Sequence, residues 1–361
     1  MNALSRVIAA EIGQTGPISV ARYMTLALLD PRAGYYTTRD PFGAAGDFVT
    51  APEISQMFGE LIGLWAADLW QRLGAPPRIV LAELGPGRGT LMADALRAAR
   101  ALPAFRAALT PWLVEASPRL ARIQAERLDG SGAQWAGDLA GLPGDVPLIV
   151  VANEFFDALP IRQFVRRGRA WHERLVGLDE RGALAFALAP EPGHLEDLLP
   201  AAILDGAPDG AVAEICPAGR AIAGDLGRRL AAQGGGALII DYGPPAPGTG
   251  DSFQAVRRHG FHDVLADPGQ ADLTAHVDFA ALAHAARRPS THVLGPVGQG
   301  IWLSAMGIDA RLETLSAAAP ARAAELRGQR DRLVEPGQMG ELFQCLAVSA
   351  AGWPRPAGFP E

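Results

Sequence analysis

The run Glu83-Leu84-Gly85-Pro86-Gly87-Arg88-Gly89-Thr90 puts glycines at alternate positions directly after an apolar stretch, Ile79 to Leu84. Glycine lets a backbone turn tightly and lets a ligand approach where a Cβ would block it. A helix N-terminus just beyond adds oriented N–H donors. The chemistry this predicts is the seating of a nucleotide-like cofactor, with a ligand-free turn as the plainer alternative. The spacing is G-x-G-x-G, whereas the dinucleotide fingerprint is G-x-G-x-x-G with a ribose-binding acid about 20 residues on. Here the acid at the end of the next strand is Glu115, thirty residues after Gly85. A carboxylate there can accept both ribose hydroxyls of an adenosyl group. Gly137-Asp138 is placed to reach the adenine amino group. Asn153-Glu154 marks where a sulfonium and an acceptor would meet. The candidate cofactor residues are therefore Glu83, Gly85, Gly87, Gly89, Thr90, Glu115, Asp138 and Asn153.

A second cluster reads Asn153-Glu154-Phe155-Phe156-Asp157-Ala158-Leu159-Pro160. Methyl transfer from a sulfonium is an in-line displacement that needs the acceptor lone pair aimed at the methyl carbon. For a guanidinium acceptor, carboxylates orient the group and localise that lone pair. Glu154 and Asp157 are the candidate catalytic pair; a turn or capping role for Asn153 and Asp157 is the competing reading. Phe155 and Phe156 either line an acceptor channel or belong to the core. The third cluster, Gly46 to Gln56, supplies Asp47, Thr50, Glu53 and Gln56 as candidate flap or substrate residues. Thr50 and Glu53 also make a capping-box pattern with Pro52 in the first turn, and both roles can coexist. Asp241-Tyr242-Gly243 closes a later strand and either bounds the cleft or is a plain exit. His262, His276 and Asp278 lack metal spacing, and no metal site is expected. No Ser-His-Asp order, G-x-S-x-G or P-loop is present.

These residues must be held by alternating elements. Ile79 to Leu84, Trp112 to Glu115, Ala133 to Ala136 and Leu148 to Ala152 read as strands. Leu91 to Ala101 and Leu120 to Leu128 read as helices between them. That alternation predicts a parallel sheet with helices on both faces, which binds ligands at the carboxyl edge of its strands. Before it lie two helical pieces in the first 30 residues, broken at Gly13 to Pro17, with Ser19 as N-cap of the second. A long amphipathic helix follows through Ile54, Met57, Phe58, Leu61, Ile62, Trp65, Leu69 and Trp70. Ile161 to Arg166, Ala170 to Leu178 and Ala183 to Leu188 break the rhythm as an inserted β-meander. Helix returns at Pro217 to Gln233, then strands at Ala237 to Ile240, Val293 to Leu303 and Leu342 to Val348. The expected organisation is an N-terminal helical region and flap over 1–75 and a core over 76–361. The core would carry an insertion at about 161–233 and a substrate-loop region at about 244–290.

The composition bounds the function. With 361 residues, nearly half apolar, the chain can build a large core. All 32 basic side chains are Arg and none is Lys, which fits a general compositional bias. A net charge of −7, with no basic run longer than a pair, leaves no electrostatic footprint for nucleic acid. Two cysteines cannot form a disulfide framework. Met1 to Gln14 lacks the apolar run of a secretory signal, and no stretch approaches the roughly 20 apolar residues of a membrane span. A cytoplasmic location without membrane insertion is expected, and a homodimer stays open as the assembly.

At these motifs the sequence closely resembles the MidA-like methyltransferase family, whose mitochondrial members are complex I assembly factors that methylate an arginine. The matching segments are GDFVTAPEISQMFGE (Gly46 to Glu60), ELGPGRGTLMAD (Glu83 to Asp94), NEFFDALPIRQF (Asn153 to Phe164), IDYG (Ile240 to Gly243) and DLTAHVDF (Asp272 to Phe279). The resemblance implies an α/β fold, a seven-strand Rossmann-like class I methyltransferase core with an N-terminal helical region and an inserted substrate region. It implies S-adenosyl-L-methionine as cofactor and a protein arginine as acceptor, on a subunit of NADH dehydrogenase, with symmetric dimethylarginine a product open to it. Gln344 stands where the family pattern has a Lys, in keeping with the Lys-free composition. Two alternatives remain: a small-molecule N- or O-methyltransferase, and a non-catalytic assembly factor that binds the cofactor. The second would show a broken glycine turn or lost carboxylates, and neither is seen.

Overall fold

A computed structural model describes residues 1–38 and 50–360 of the chain. They form two compact units, one of Val49–Phe156, Ala221–Pro245 and Phe279–Glu361, the other of Met1–Phe48, Asp157–Arg220 and Ala246–Asp278. Within the first unit lies a seven-stranded sheet of β1 (Ile79–Leu84), β2 (Leu109–Val114), β3 (Gln134–Ala136), β4 (Leu148–Asn153), β5 (Gly235–Tyr242), β6 (Thr291–Gly298) and β7 (Phe343–Ala350). Their spatial order is β6-β7-β5-β4-β1-β2-β3. The pairs among β5, β4, β1, β2 and β3 are parallel, while β7 runs antiparallel to both β5 and β6. This is the expected seven-strand α/β core.

The central strands are apolar up to their carboxyl ends because both sheet faces are covered: every residue of β1 and β4 is buried, including the polar Glu83 and Asn153 near those ends. Their register sets the site. Leu84 at the end of β1 pairs with Val114 and Ala152, and Asn153 at the end of β4 pairs with Ile240. Four strands therefore release their chains at one carboxyl edge, at Gly85, Glu115, Glu154 and Gly243, with Asp241 one residue short of the end of β5.

Helix α1 (Gln56–Arg72) buries Met57, Phe58, Leu61, Ile62, Trp65, Leu69 and Trp70 in the main core. Each such side chain contributes about 1.5–3 kcal/mol of transfer free energy. Its Gly63 lies against helix α2 (Thr90–Ala99), where a Cβ would come within 2.6 Å of the Ala95 carbonyl. The start of α1 differs from expectation. A separate turn, Ala51–Ile54, carries Pro52, the backbone extends at Ser55, and Ser55 caps α1 by accepting from the Met57 N–H at 3.3 Å. Thr50 makes no side-chain cap, so the capping box does not form.

Two further differences concern strands. The stretch read as Val293 to Leu303 is strand only to Gly298, after which Gln299–Ala305 is helix. The second unit adds strands too short to show a period, Ile18–Ser19 and Val212–Ile215. They join the meander of Arg162–Arg167, Ala170–Leu178 and Leu184–Pro192 in one antiparallel sheet, Ile18–Ser19 pairing with its middle strand and Val212–Ile215 with its first. The N-terminal helices Ala3–Thr15 and Val20–Leu29 pack on that unit's own core through Ile8, Tyr23 and Met24. Ser19 caps the second helix as expected, at 3.1 Å from the Arg22 N–H.

Candidate active site

The turn after β1 is built from left-handed glycines: φ is +60° at Gly85, +53° at Gly87 and +75° at Gly89. A side chain at Gly85 would meet the Phe155 ring at 2.7 Å, so the turn also needs glycine for space. Phe155 packs edge-to-face on Phe156, with ring centroids 5.2 Å apart. Gly89 precedes the first turn of α2, whose N–H groups face the same edge. Inside the strand end, the Glu83 carboxyl is buried and its Oε2 has no hydrogen-bond partner among the described residues. Burial, with the Glu115 charge adding to it, pushes Glu83 up to about 8 against a hydrogen bond from the Met92 N–H.

At the end of β2, Glu115 accepts from the Ser117 N–H at 2.7 Å and from Gln124 Nε2 at 2.9 Å. Partial burial raises its pKa, and those hydrogen bonds oppose the rise. Ser117 caps helix α3 (Pro118–Arg127), whose Gln124 faces back toward the glycine turn. Asp138, after β3, is exposed and caps a short 3₁₀ turn by accepting from the Gly141 N–H at 3.1 Å.

At the end of β4, Asn153 is buried and Glu154 has a left-handed backbone, φ +49°. Glu154 Oε1 accepts from the Ala51 N–H at 3.0 Å and from Asn153 Nδ2 at 3.1 Å. Asn153 Oδ1 is a second buried acceptor without a hydrogen-bond partner among the described residues. Asp241, at the end of β5 and fully buried, holds the turn that follows. Its Oδ2 accepts from the Phe155 and Phe156 N–H groups at 3.2 and 2.9 Å, and its Oδ1 from the Tyr242 N–H at 2.9 Å.

The flap residues join this edge through Glu53, which accepts a hydrogen bond from the Thr90 hydroxyl; the Thr90 hydroxyl oxygen in turn accepts from Arg127. Gln56 turns away and donates to Glu60 at 3.2 Å. Glu60 is itself buried between Arg97 and Arg311, at 3.0 and 2.8 Å. Asp47 lies outside the described residues. Asp157 belongs to the other unit, opening its segment Asp157–Arg220, and its carbonyl accepts from the Ala275 N–H at 3.0 Å. His262, His276 and Asp278 also belong to that unit, and no metal-binding cluster occurs among the described residues. The structure thus brings together Glu83, the three glycines, Thr90, Glu115, Asn153, Glu154 and Glu53 along one edge. Sequence reasoning missed Gln124 and Arg127, and it left the part played by Asp241 undecided.

S-adenosyl-L-methionine fits this edge on two observations. The left-handed turn offers backbone N–H groups where a Cβ would intrude. Two buried polar oxygens, on Glu83 and Asn153, lack partners among the described residues that a polar cofactor would supply.

Residues 61–297 match a family described as "Putative S-adenosyl-L-methionine-dependent methyltransferase". The chain is 40% identical to protein arginine methyltransferase NDUFAF7, mitochondrial, of Danio rerio, over 94% of this chain and 85% of that protein. It is 39% identical to the Homo sapiens protein of the same name, over 94% and 81%. A Burkholderia thailandensis protein crystallised with S-adenosyl-homocysteine superposes with a TM-score of 0.85 at 29% identity, covering 99% of this chain and 94% of that one. The cofactor is therefore S-adenosyl-L-methionine. The expected cytoplasmic location is overturned, because these relatives are named as mitochondrial and point to that compartment instead. The absence of an apolar run argued only against secretion. Mitochondrial targeting segments are amphipathic, and few cysteines suit any reducing compartment.

Proposed function

Because this chain belongs to the S-adenosyl-L-methionine-dependent methyltransferase family, we propose that it methylates an arginine on a protein, a subunit of respiratory NADH dehydrogenase, and thereby aids that complex's assembly. The relatives' name supports the arginine acceptor. The observation that carries the chemistry is Glu154, a non-glycine residue in the left-handed region at the sheet's carboxyl edge. Such a backbone costs about 1–3 kcal/mol and collects at functional sites.

Bound at this edge, the cofactor supplies an electrophilic methyl carbon on its sulfonium. The Gly85–Gly89 turn and the start of α2 would hold the cofactor's amino-acid end beside Glu83 and Thr90. Glu115 would accept from the ribose hydroxyls and Asp138 from the adenine amino group. Glu154, its carboxylate already fixed by the Ala51 N–H and Asn153, would orient the guanidinium by charge-assisted hydrogen bonds. Asp157 is the second carboxylate of this proposal.

The test is incubation of purified protein with NADH dehydrogenase subunits and S-adenosyl-L-methionine, read by mass spectrometry for methylarginine. Glu154→Gln and Asp157→Asn should each lose on the order of a hundredfold or more in kcat while keeping S-adenosylhomocysteine affinity. Tight cofactor binding with no methylation of any subunit would overturn the proposal in favour of an assembly factor that does not turn over.

A further inference from the structure

Gln124 is fully buried in the middle of α3, a helix whose other face is polar and exposed. A buried amide is stable only when its donors and acceptor are met, and here all three directions are used. Nε2 donates to the Gly87 carbonyl at 2.8 Å and to Glu115 Oε2 at 2.9 Å. Oε1 accepts from Trp135 Nε1 at 3.0 Å. Two of the neighbours are pure acceptors and the third is a pure donor, so the amide has one satisfied orientation. Flipping it would set oxygen against two oxygens and N–H against N–H.

This arrangement ties together three separate parts of the cofactor edge: the middle of the glycine turn, the acid after β2, and β3. It takes one oxygen of Glu115, while the Ser117 N–H takes the other. A carboxylate pinned at both oxygens has a fixed plane, and its remaining lone pairs point in set directions. We infer that Gln124 is a positioning residue: it aims the Glu115 carboxylate at the cofactor's ribose hydroxyls and locks the Gly87 peptide beside it. The inference rests on reading Glu115 as the ribose acceptor. It follows that Gln124 governs discrimination between ribose and deoxyribose, beyond holding the fold together.

The experiment is calorimetric titration of the full chain with S-adenosylhomocysteine and with its 2′-deoxy analogue, alongside thermal melts. The variants are Glu115→Gln, Gln124→Met, which keeps length but no hydrogen bonds, and Gln124→Glu, which keeps shape but opposes Glu115. The wild-type chain should prefer the ribose ligand, and Glu115→Gln should lose that preference. Gln124→Met should bind S-adenosylhomocysteine roughly tenfold to a hundredfold more weakly, the scale of a lost charge-assisted hydrogen bond, with the deoxy analogue changed far less. Gln124→Glu should do the same or worse, and serves if the Met variant does not fold. A Gln124 variant that keeps the full preference, or that weakens both ligands equally, overturns the inference and leaves Gln124 as packing only. No preference in the wild-type chain, or one untouched by Glu115→Gln, shows instead that the Glu115 reading has failed, and the inference falls with it.

Discussion

Glu83 and Asp241 are both buried carboxylates at strand ends, and what surrounds each decides what it can do. Asp241 accepts three backbone N–H groups, two of them from the turn that follows Glu154. Asp241→Ala should therefore leave those donors unmet and cost roughly 2–4 kcal/mol in urea unfolding; a loss under about 1 kcal/mol would mean water or a neighbour replaces the carboxylate. Glu83 has one oxygen unpartnered, and burial raises it to about 8. Since the folded chain then holds a proton that the unfolded chain releases near pH 4.5, the native state binds more protons through that interval. Its contribution is present below the ordinary carboxylate range and is lost as pH rises through about 8. The melting temperature should fall between pH 5 and pH 9 more steeply for the wild-type chain than for Glu83→Gln, and parallel curves would show that Glu83 ionises normally. The sequence marks both acids as polar strand ends. It cannot tell them apart, because two of the N–H groups that donate to Asp241 come from 85 and 86 residues away.

At the scale of elements, glycine has opposite meanings in two helices. Gly63 on α1 meets the Ala95 backbone, whereas Gly328 in the helix Ala323–Val334 has open space around its absent Cβ. Gly63→Ala should destabilise by roughly 1–3 kcal/mol through overpacking and weaken S-adenosylhomocysteine binding, since α2 carries the glycine turn at its start. Gly328→Ala should stabilise by roughly 0.5–1 kcal/mol from helix propensity alone. Chemical denaturation of the two variants checks both signs, and a stabilised Gly63→Ala would show that the α1–α2 contact gives way. Neither sign is legible in the sequence, where both are single glycines inside helical patterns. What was legible is whatever repeats. β1 and β4 show as apolar runs, Ile79 to Ala82 and Leu148 to Ala152, before their polar ends, and the meander shows as three strands divided by Arg167-Gly168 and Asp179 to Gly182. Ile18–Ser19 and Val212–Ile215 are too short to carry a period. The helix start at Ser55 was hidden by a stronger cap-like pattern at Thr50, whose Glu53 bonds Thr90 instead. Gln124 was hidden because a glutamine amid Arg and Glu on α3 reads as part of the solvent face.

For the molecule as a whole, both compact units are discontinuous in the chain, yet every candidate cofactor residue falls within Val49–Phe156 of one of them. A ligand that binds only the native state stabilises it by about 2.7 kcal/mol at a hundred times its Kd, and the amides it restrains directly gain most of that protection. Hydrogen exchange of the full chain, with and without S-adenosylhomocysteine, should therefore slow first at Gly85 to Thr90, Glu115 to Ser117 and Asn153 to Phe156. The meander strands Arg162–Arg167, Ala170–Leu178 and Leu184–Pro192 belong to the other unit. Their amides should keep their own rates wherever exchange proceeds through local opening. Equal slowing throughout would mean that the chain opens only globally, as one cooperative body. Slowing confined to the meander would place the cofactor away from the glycine turn and undo the assignment of the edge. The first pattern would mean that the cofactor edge and the meander have separate stability, so a variant can unfold one locally and keep the other.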